Sequence, residues 1–237
     1  MVEQEHIASV FDRDLEAIQA MIMKMGGLVE QSIDQSITAL VNRDSELALA
    51  VRAADKTIDA LEEQVSTEAA RVIALRAPQA SDLRTVLSVF RIAANLERIG
   101  DYSKNIARRT GVVLEHDRID GSSEALRRMA RSVEMMLKDV LDAYIQRDPD
   151  LALDVRARDH DVDQMYDALF RNYLTHMMED PRNITVCMHL HFMAKNVERM
   201  GDHVTSIAEQ VVYLVTGEVP DEERSKMSSV SPDAPTA

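Results

Sequence analysis

The segment N-L-E-R-I-G-D at residues 95–101 recurs as N-V-E-R-M-G-D at residues 196–202, an offset of 101. A second pair of matching segments precedes it, because R-D-x-x-L-A at residues 43–48 recurs at residues 147–152, an offset of 104. Two segments that repeat in the same order at nearly the same distance indicate an internal duplication. The sequence therefore predicts two structurally equivalent halves of about a hundred residues each.

Composition favours an all-α fold. The chain of 237 residues has only 7 Gly and 6 Pro, and three of the prolines fall in the last eighteen residues. Few turn residues remain for a sheet of many strands. Methionine is frequent at 14 residues, Trp is absent, and aromatic residues make up 4% of the chain. This is typical of a helical bundle whose core is filled by aliphatic side chains and Met.

The net charge and the single cysteine argue against several classes of protein. A formal net charge of −14 repels nucleic acid and anionic membranes. Cys187 is alone, so the chain has no intrachain disulfide and no cysteine-rich zinc site. The N-terminus does not read as a signal peptide, and no apolar run approaches the roughly 18 residues of a membrane span. We therefore expect a soluble, cytoplasmic protein.

Helix start and stop signals divide the chain into six amphipathic stretches with apolar residues three and four positions apart. We predict helices at residues 13–42, 45–77, 81–110, 123–147, 149–179 and 182–216. We predict caps or helix breaks at Asp44, Ser81, Asp148-Pro149 and Asp180-Pro181, and stops at Gly111 and Gly217. The predicted fold class is all-α, with two tandem antiparallel three-helix bundles at residues 1–115 and 116–217 and a disordered tail at residues 218–237.

Pairs of carboxylates spaced four residues apart lie on four of these helices. At 100° per residue, Glu97 and Asp101 point within about 20° of Phe90, and Leu87 lies near the same direction. We therefore expect the acids to continue a stripe that begins as an apolar face. Other pairs flank the apolar stripe of the second and fifth helices. The eight candidate residues are Asp55, Asp59, Glu97 and Asp101 in the first half and Asp159, Asp163, Glu198 and Asp202 in the second.

Two interpretations of these acidic pairs stay open at this point. Like charges four residues apart repel by a few tenths of a kcal/mol, roughly, so something positive should balance them. Carboxylates on two neighbouring helices suit Mg²⁺, Mn²⁺, iron or zinc, which gives a metal site. Basic side chains nearby would instead give a salt-bridged or solvated face. The candidates for that role are Arg52, Arg91, Arg98, Lys195 and Arg199.

A glycine lies inside the third predicted helix beside Glu97 and Asp101, and another lies at the equivalent position of the sixth helix. A helix-interior Gly costs about 1 kcal/mol relative to Ala, so the recurrence of Gly100 and Gly201 indicates close approach of a ligand, a partner or a neighbouring helix. His203 follows Asp202 directly and is a candidate supporting group for a ligand there. Cys187 lies on the apolar side of its helix, where we expect it to belong to the core.

The duplicated N-[LV]-E-R-[IM]-G-D motif, with a D-x-x-x-D segment one helix earlier, resembles the PhoU family over residues 10–217 or so. The resemblance implies two three-helix bundles, a homodimer and no enzymatic activity. It also implies a negative regulator of the phosphate-starvation response that modulates phosphate uptake. Such an adaptor contacts a PhoR-like sensor histidine kinase and the PstB-like ATPase of the phosphate ABC transporter, and it meets the membrane only through these partners. The eight acidic residues match the family motif, which holds metal clusters in some members and no metal in others.

Two alternative functions belong to other classes. A carboxylate-bridged metalloprotein of the ferritin-like kind would use E-x-x-H ligand pairs on bundle helices. The sequence offers only Glu3–His6, ahead of the first periodic helix. The other alternative is a structural dimerisation module whose acidity is incidental. Neither a phosphate-binding loop nor a nucleophile motif is present, which also speaks against an enzyme.

Overall fold

The computed structural model describes residues 2–220, with side chains from residue 11 onward. Within this range it contains helices and no strand, so the all-α prediction is confirmed. The helices are α1 Val2–Asn42, α2 Ser45–Arg76, α3 Ser81–Val113, α4 Ser122–Gln146, α5 Pro149–Glu179 and α6 Ile184–Thr216, with a 3₁₀ turn at Pro181–Asn183. Most of the predicted tail, from residue 221 to 237, lies outside the described residues.

The helices pack in two layers. In one layer α2, α3, α6 and α5 lie side by side in that order, so that α3 and α6 meet at the centre. In the other layer α1 packs on α2 and α3, α4 packs on α5 and α6, and α1 and α4 contact each other. The prediction of two antiparallel three-helix bundles is confirmed. One continuous apolar core runs through all six helices, and the division at residues 115 and 116 stays a prediction.

The duplication extends to the geometry of the turns. Asp44 and Asp148 both have extended backbones, and each carboxylate accepts a hydrogen bond from the N–H three residues on, at 2.9 Å and 3.0 Å. The residues before them, Arg43 and Arg147, both take left-handed backbones with φ of 58° and 53°. The repeated R-D pair therefore encodes the same helix–turn–helix connection twice.

Three predicted helix boundaries were wrong. The first helix begins at Val2 because neither Gly nor Pro interrupts the chain before residue 26. Ser81 is the first residue of α3 and not its cap, since Ala80 precedes it with φ of 50° and makes no side-chain cap. Gly111 lies inside α3, which continues to Val113, and the chain reaches its left-handed glycine only at Gly121.

Aliphatic residues and Met fill the core, as the composition predicts. Met25, Met129, Met193 and Met200 are all inaccessible to solvent. Cys187 is likewise fully buried, so the prediction that it belongs to the core is confirmed. None of the helices in the described part of the chain is long and apolar enough to cross a membrane.

Candidate functional site

The predicted carboxylates form two groups, each at the contact between the second and third helices of a bundle. The first acidic face consists of Asp55 and Asp59 on α2 with Glu97 and Asp101 on α3. The second acidic face consists of Asp159 and Asp163 on α5 with Glu198 and Asp202 on α6. Burial raises the pKa of Glu97, and so do Asp101 of the same helix and Asp59 of α2. Burial and then Asp202 of α6 raise the pKa of Asp163 on α5. Carboxylates of neighbouring helices are therefore close enough to repel one another.

Asp55 is the only one of the eight carboxylates that is buried, with 2% of the residue exposed. Lys104 of α3 reaches across to it, with Nζ 2.5 Å from Oδ2. The same ammonium lies 3.2 Å from Oδ1 of Asp101, so it contacts acids from two helices. Burial raises the pKa of Asp55 while Lys104 opposes that rise, and Oδ1 of Asp55 has no hydrogen-bond partner.

The second acidic face has a lysine in a different position. Lys195 lies one turn before Glu198 on α6, and its Nζ is 2.5 Å from Oε1 of that residue. The ammonium also lies 5.2 Å from the centre of the Tyr166 ring on α5. Burial raises the pKa of Glu198 against the influence of Lys195, and its Oε2 is buried without a hydrogen-bond partner.

The two motif glycines allow a neighbouring helix to approach the acidic residues. A Cβ added to Gly100 would lie 3.0 Å from Cδ1 of Ile58 and 3.9 Å from Oδ1 of Asp55. A Cβ added to Gly201 would lie 2.7 Å from Oδ1 of Asp159. The close approach indicated by the sequence is therefore that of α2 and of α5, and the missing side chains leave room for a carboxylate beside the helix backbone.

The predicted continuity between acids and core was only partly correct. Leu87 is 45% exposed and Phe90 is half-buried, so this stripe of α3 lies at the edge of the core. The centre of the buried face passes instead through Leu96 and its neighbours. The acids spaced four apart on α2 also differ from each other, because Asp55 is buried while Asp59 is exposed.

Of the five basic residues expected to neutralise the acids, two do so. Lys195 pairs with Glu198, and Arg98 lies 3.7 Å from Glu97. Arg199 lies over the Tyr102 ring instead, and the other two, on α2 and α3, form no ion pair within the described part of the chain. Sequence reasoning missed Lys104. Its spacing of three from Asp101 was a usable signal, but its reach to α2 depends on how the helices pack.

His203, the candidate supporting group beside Asp202, makes its hydrogen bond with a residue of α3. Its Nδ1 lies 2.7 Å from Oδ1 of Asn95, and the centre of its ring lies 5.6 Å from that of the Tyr102 ring, at a tilt of 35°. Burial lowers the pKa of this imidazole. Because Asn95 opens the first motif and His203 follows the second, this contact joins the two bundles across the α3–α6 seam.

The carboxylates have the right chemistry for a metal ion but do not converge on one. Buried oxygens without partners on Asp55 and Glu198 would suit a hard cation. No three His, Cys, Asp or Glu side chains among residues 11–220 are grouped closely enough to hold a metal ion, however. Lysine ammoniums already contact these two acids. The arrangement therefore does not fit a bound metal as it stands, and the metal prediction for the eight residues stays a prediction.

Fold and motif together define a class of protein, namely a duplicated six-helix bundle with one acidic face in each half. The PhoU domain family matches residues 22–110 and 126–211, one segment in each half. The chain belongs to the PhoU family. This confirms the family resemblance carried by the repeated motif.

Individual proteins resemble the chain over nearly their whole length. The phosphate-specific transport system accessory protein PhoU homolog of Rhizobium meliloti (strain 1021) is 47% identical over 221 residues, which cover 93% of each chain. Its counterpart in Caulobacter vibrioides (strain NA1000 / CB15N) is 42% identical over 96% of this chain and 99% of that protein. The crystal structure of PhoU from Pseudomonas aeruginosa matches with a TM-score of 0.85 and 38% identity, covering 88% of this chain and 100% of that one. The crystal structure of the phosphate transport system regulatory protein PhoU from Streptococcus pneumoniae matches with a TM-score of 0.83 and 30% identity. The match covers 89% of this chain and 99% of that one.

Proposed function

We propose that this protein is a non-enzymatic accessory protein of a phosphate transport system. The observation that carries the proposal is that both halves match the PhoU family, and that two relatives bearing the accessory-protein name align over 93% and 99% of their length. Family membership over the full fold makes a shared role the simplest expectation.

The proposed mechanism is regulation by contact. In phosphate-replete cells the protein binds the cytoplasmic part of a PhoR-like sensor histidine kinase and the PstB-like ATPase of the phosphate ABC transporter. It thereby keeps phosphate-starvation genes silent and adjusts phosphate uptake. Such a protein works in the cytoplasm and reaches the membrane only through its partners.

The acidic faces are the surfaces we propose for these contacts. Asp59 and Asp163 are exposed, and Asp101 and Asp202 are half-exposed, so part of each face is accessible to a basic partner surface. With a net charge of −14, attraction at long range favours basic partners and speeds their encounter. A partner docking there meets carboxylates held on rigid helices.

The proposal is tested by binding and by genetics. The full-length protein should retain the kinase's cytoplasmic portion and the ATPase in a pull-down, and the variant Asp59→Asn/Asp163→Asn should retain less. Deleting the gene should release a phosphate-starvation reporter in phosphate-rich medium. Absence of binding at every phosphate level, together with normal repression in the deletion strain, would refute the proposal.

Cation binding at the acidic faces is a second candidate function. It is favoured by the unsatisfied buried oxygens of Asp55 and Glu198. The eight carboxylates would hold the ion once Lys104 and Lys195 have withdrawn from Asp55 and Glu198. The ion would be Mg²⁺, Mn²⁺, iron or zinc, which accept oxygen ligands. Elemental analysis of protein purified without chelator or affinity-tag metal tests it. Less than one equivalent of every metal would argue against it.

A homodimer is the assembly we propose. Large apolar side chains stay uncovered on α5 and α6, where Phe170, Leu174 and Phe192 are 44%, 45% and 42% exposed. An interface would remove such a patch from water. Light scattering on the purified protein gives the mass directly, and a monomer at micromolar concentration would contradict the proposal.

A further inference from the structure

The two acidic faces obtain their lysines from different positions of the repeat. At the offset of 101, Lys104 corresponds to Thr205, and Lys195 corresponds to Ala94. Thr205 is buried, and its hydroxyl donates to the carbonyl oxygen of Asp202 at 2.7 Å. Each face therefore lacks the lysine that the other has, and the two lysines did not arise from one position by duplication.

Lys104 lies where a cation shared by two helices would have to lie. Its Nζ contacts the buried carboxylate of Asp55 on α2 and that of Asp101 on its own helix. A carboxylate removed from water needs an opposite charge close by, and no other basic group in the described part of the chain forms an ion pair with Asp55. Lys195, by contrast, forms its ion pair with a carboxylate of its own helix.

We infer that Lys104 is the resident cation of the first acidic face, holding the position between α2 and α3 that a metal ion would otherwise take. The ammonium and a divalent ion cannot share the position, because both are positive and both need the same oxygens. The first face therefore excludes metal ions until Lys104 withdraws. This inference concerns which cation occupies the face, and it does not depend on whether the protein is an adaptor.

Manganese binding to the full-length protein tests the inference. Lys104→Met should bind Mn²⁺ about tenfold more tightly than wild type, or better, since a competing charge has gone. Adding Asp55→Asn to that variant should abolish the gain, and the matched control Lys195→Met should not bring Mn²⁺ to the first face. Paramagnetic broadening locates the ion, because the amide signal of Gly100 should broaden in Lys104→Met and stay sharp in wild type.

Several results of these measurements would contradict the role of Lys104. Equal broadening of Gly100 in wild type and in Lys104→Met would overturn the inference, and so would a folded Lys104→Met that gains no Mn²⁺ affinity. If Lys104→Met fails to fold, Asp55→Asn in the same chain should restore the helical circular dichroism, because no buried charge is then left uncompensated. A double variant that also stays unfolded would count against Lys104 as the counter-ion of Asp55. Loss of kinase binding in any of these variants bears only on the adaptor proposal.

Discussion

The two acidic faces have the same carboxylates and different counter-ions. In the first, Lys104 bridges two helices and contacts Asp55, which is almost fully buried. In the second, Lys195 stays on α6 with Glu198, and Asp159, the repeat equivalent of Asp55, is only half-buried. The deeper carboxylate thus has the lysine that crosses between helices, as expected if burial creates the need for a nearby positive charge.

This difference shows what the duplication preserved and what it left to each half. The motif glycines, the acidic spacing and the R-D turns occur in both halves with the same backbone role. They depend on contacts inside one bundle, so each copy needs them. Charge neutralisation depends only on some cation reaching the acids, and a different position of the repeat supplies that cation in each half. The faces are therefore equivalent in shape and not in electrostatics.

The largest predicted effect would test this difference directly. Lys104→Met should destabilise the protein by about 2 kcal/mol, a figure reduced from the roughly 3–5 kcal/mol of a fully buried pair because Lys104 is 41% exposed. Lys195→Met should cost less, about 1 kcal/mol, because its partner Glu198 keeps 14% of its side chain exposed, whereas Asp55 keeps 2%. Urea unfolding of both variants measures the difference. Equal losses would mean that the faces are electrostatically alike after all.

A second prediction concerns the turns, where the two halves should behave alike. Asp44→Ala and Asp148→Ala each remove a carboxylate that caps the first turn of a helix. Each should lower the free energy of unfolding by about 1 kcal/mol. Thermal unfolding of the two variants provides the comparison, with Asp→Asn at the same positions as the control that keeps a capping oxygen. A loss at only one position would show that the halves differ in their backbones as well as in their charges.

Much of this structure could be predicted from the sequence, because it depends on residues that are close together in the chain. The six helices, the R-D caps and the grouping of carboxylates by half follow from spacing along single helices, which the sequence displays directly. The boundaries at Ser81 and Gly111 were mispredicted because a capping residue and a glycine are only permissive signals. Neither residue forces a helix to begin or end there.

What the sequence could not supply is the rotation and reach of side chains between helices. Asp55 is buried and Asp59 is exposed because of the side of α2 that packs against α3. The ion pair between Lys104 and Asp55 depends on helix packing, and so does the hydrogen bond between His203 and Asn95. These contacts join positions that are tens of residues apart, and a single sequence does not record which pairs meet.

A third prediction uses the glycines to probe how closely the helices pack. Gly111→Ala should stabilise the protein by about 0.5–1 kcal/mol, because its Cβ would meet nothing within 4 Å and Ala is the better helix former. Gly201→Ala should show no such gain, because its Cβ would lie 2.7 Å from Oδ1 of Asp159 and displace that carboxylate. Gly100→Ala, with 3.0 Å to Ile58, should fall between them. Melting temperatures of the three variants give this order, and a gain at Gly201 equal to that at Gly111 would contradict it.

The smallest predicted effect is on the pH dependence of stability. It tests whether the glutamates of the two faces are equally desolvated. Burial raises the pKa of Glu97 and of Glu198 above the ordinary value in the folded protein. The folded state then takes up a proton more readily than the unfolded chain, so the contribution of each group to stability is full below about pH 4.3 and is lost as the pH rises through the raised pKa. The free-energy difference between wild type and Glu198→Gln should therefore shift in favour of wild type as the pH falls from 7 toward 5, and Glu97→Gln should behave in the same way.

Urea unfolding at three pH values distinguishes the outcomes, because Gln keeps the shape of Glu and does not titrate. If both substitutions remove part of the stability that wild type gains between pH 7 and pH 5, the carboxylates of the two faces are equally desolvated. The faces then differ only in their lysines. If only Glu198→Gln removes it, the second face is the drier of the two. In that case the asymmetry extends from the counter-ions to the hydration of the carboxylates themselves. No change with either variant would mean that water reaches both faces, and that burial does not set the protonation of either glutamate.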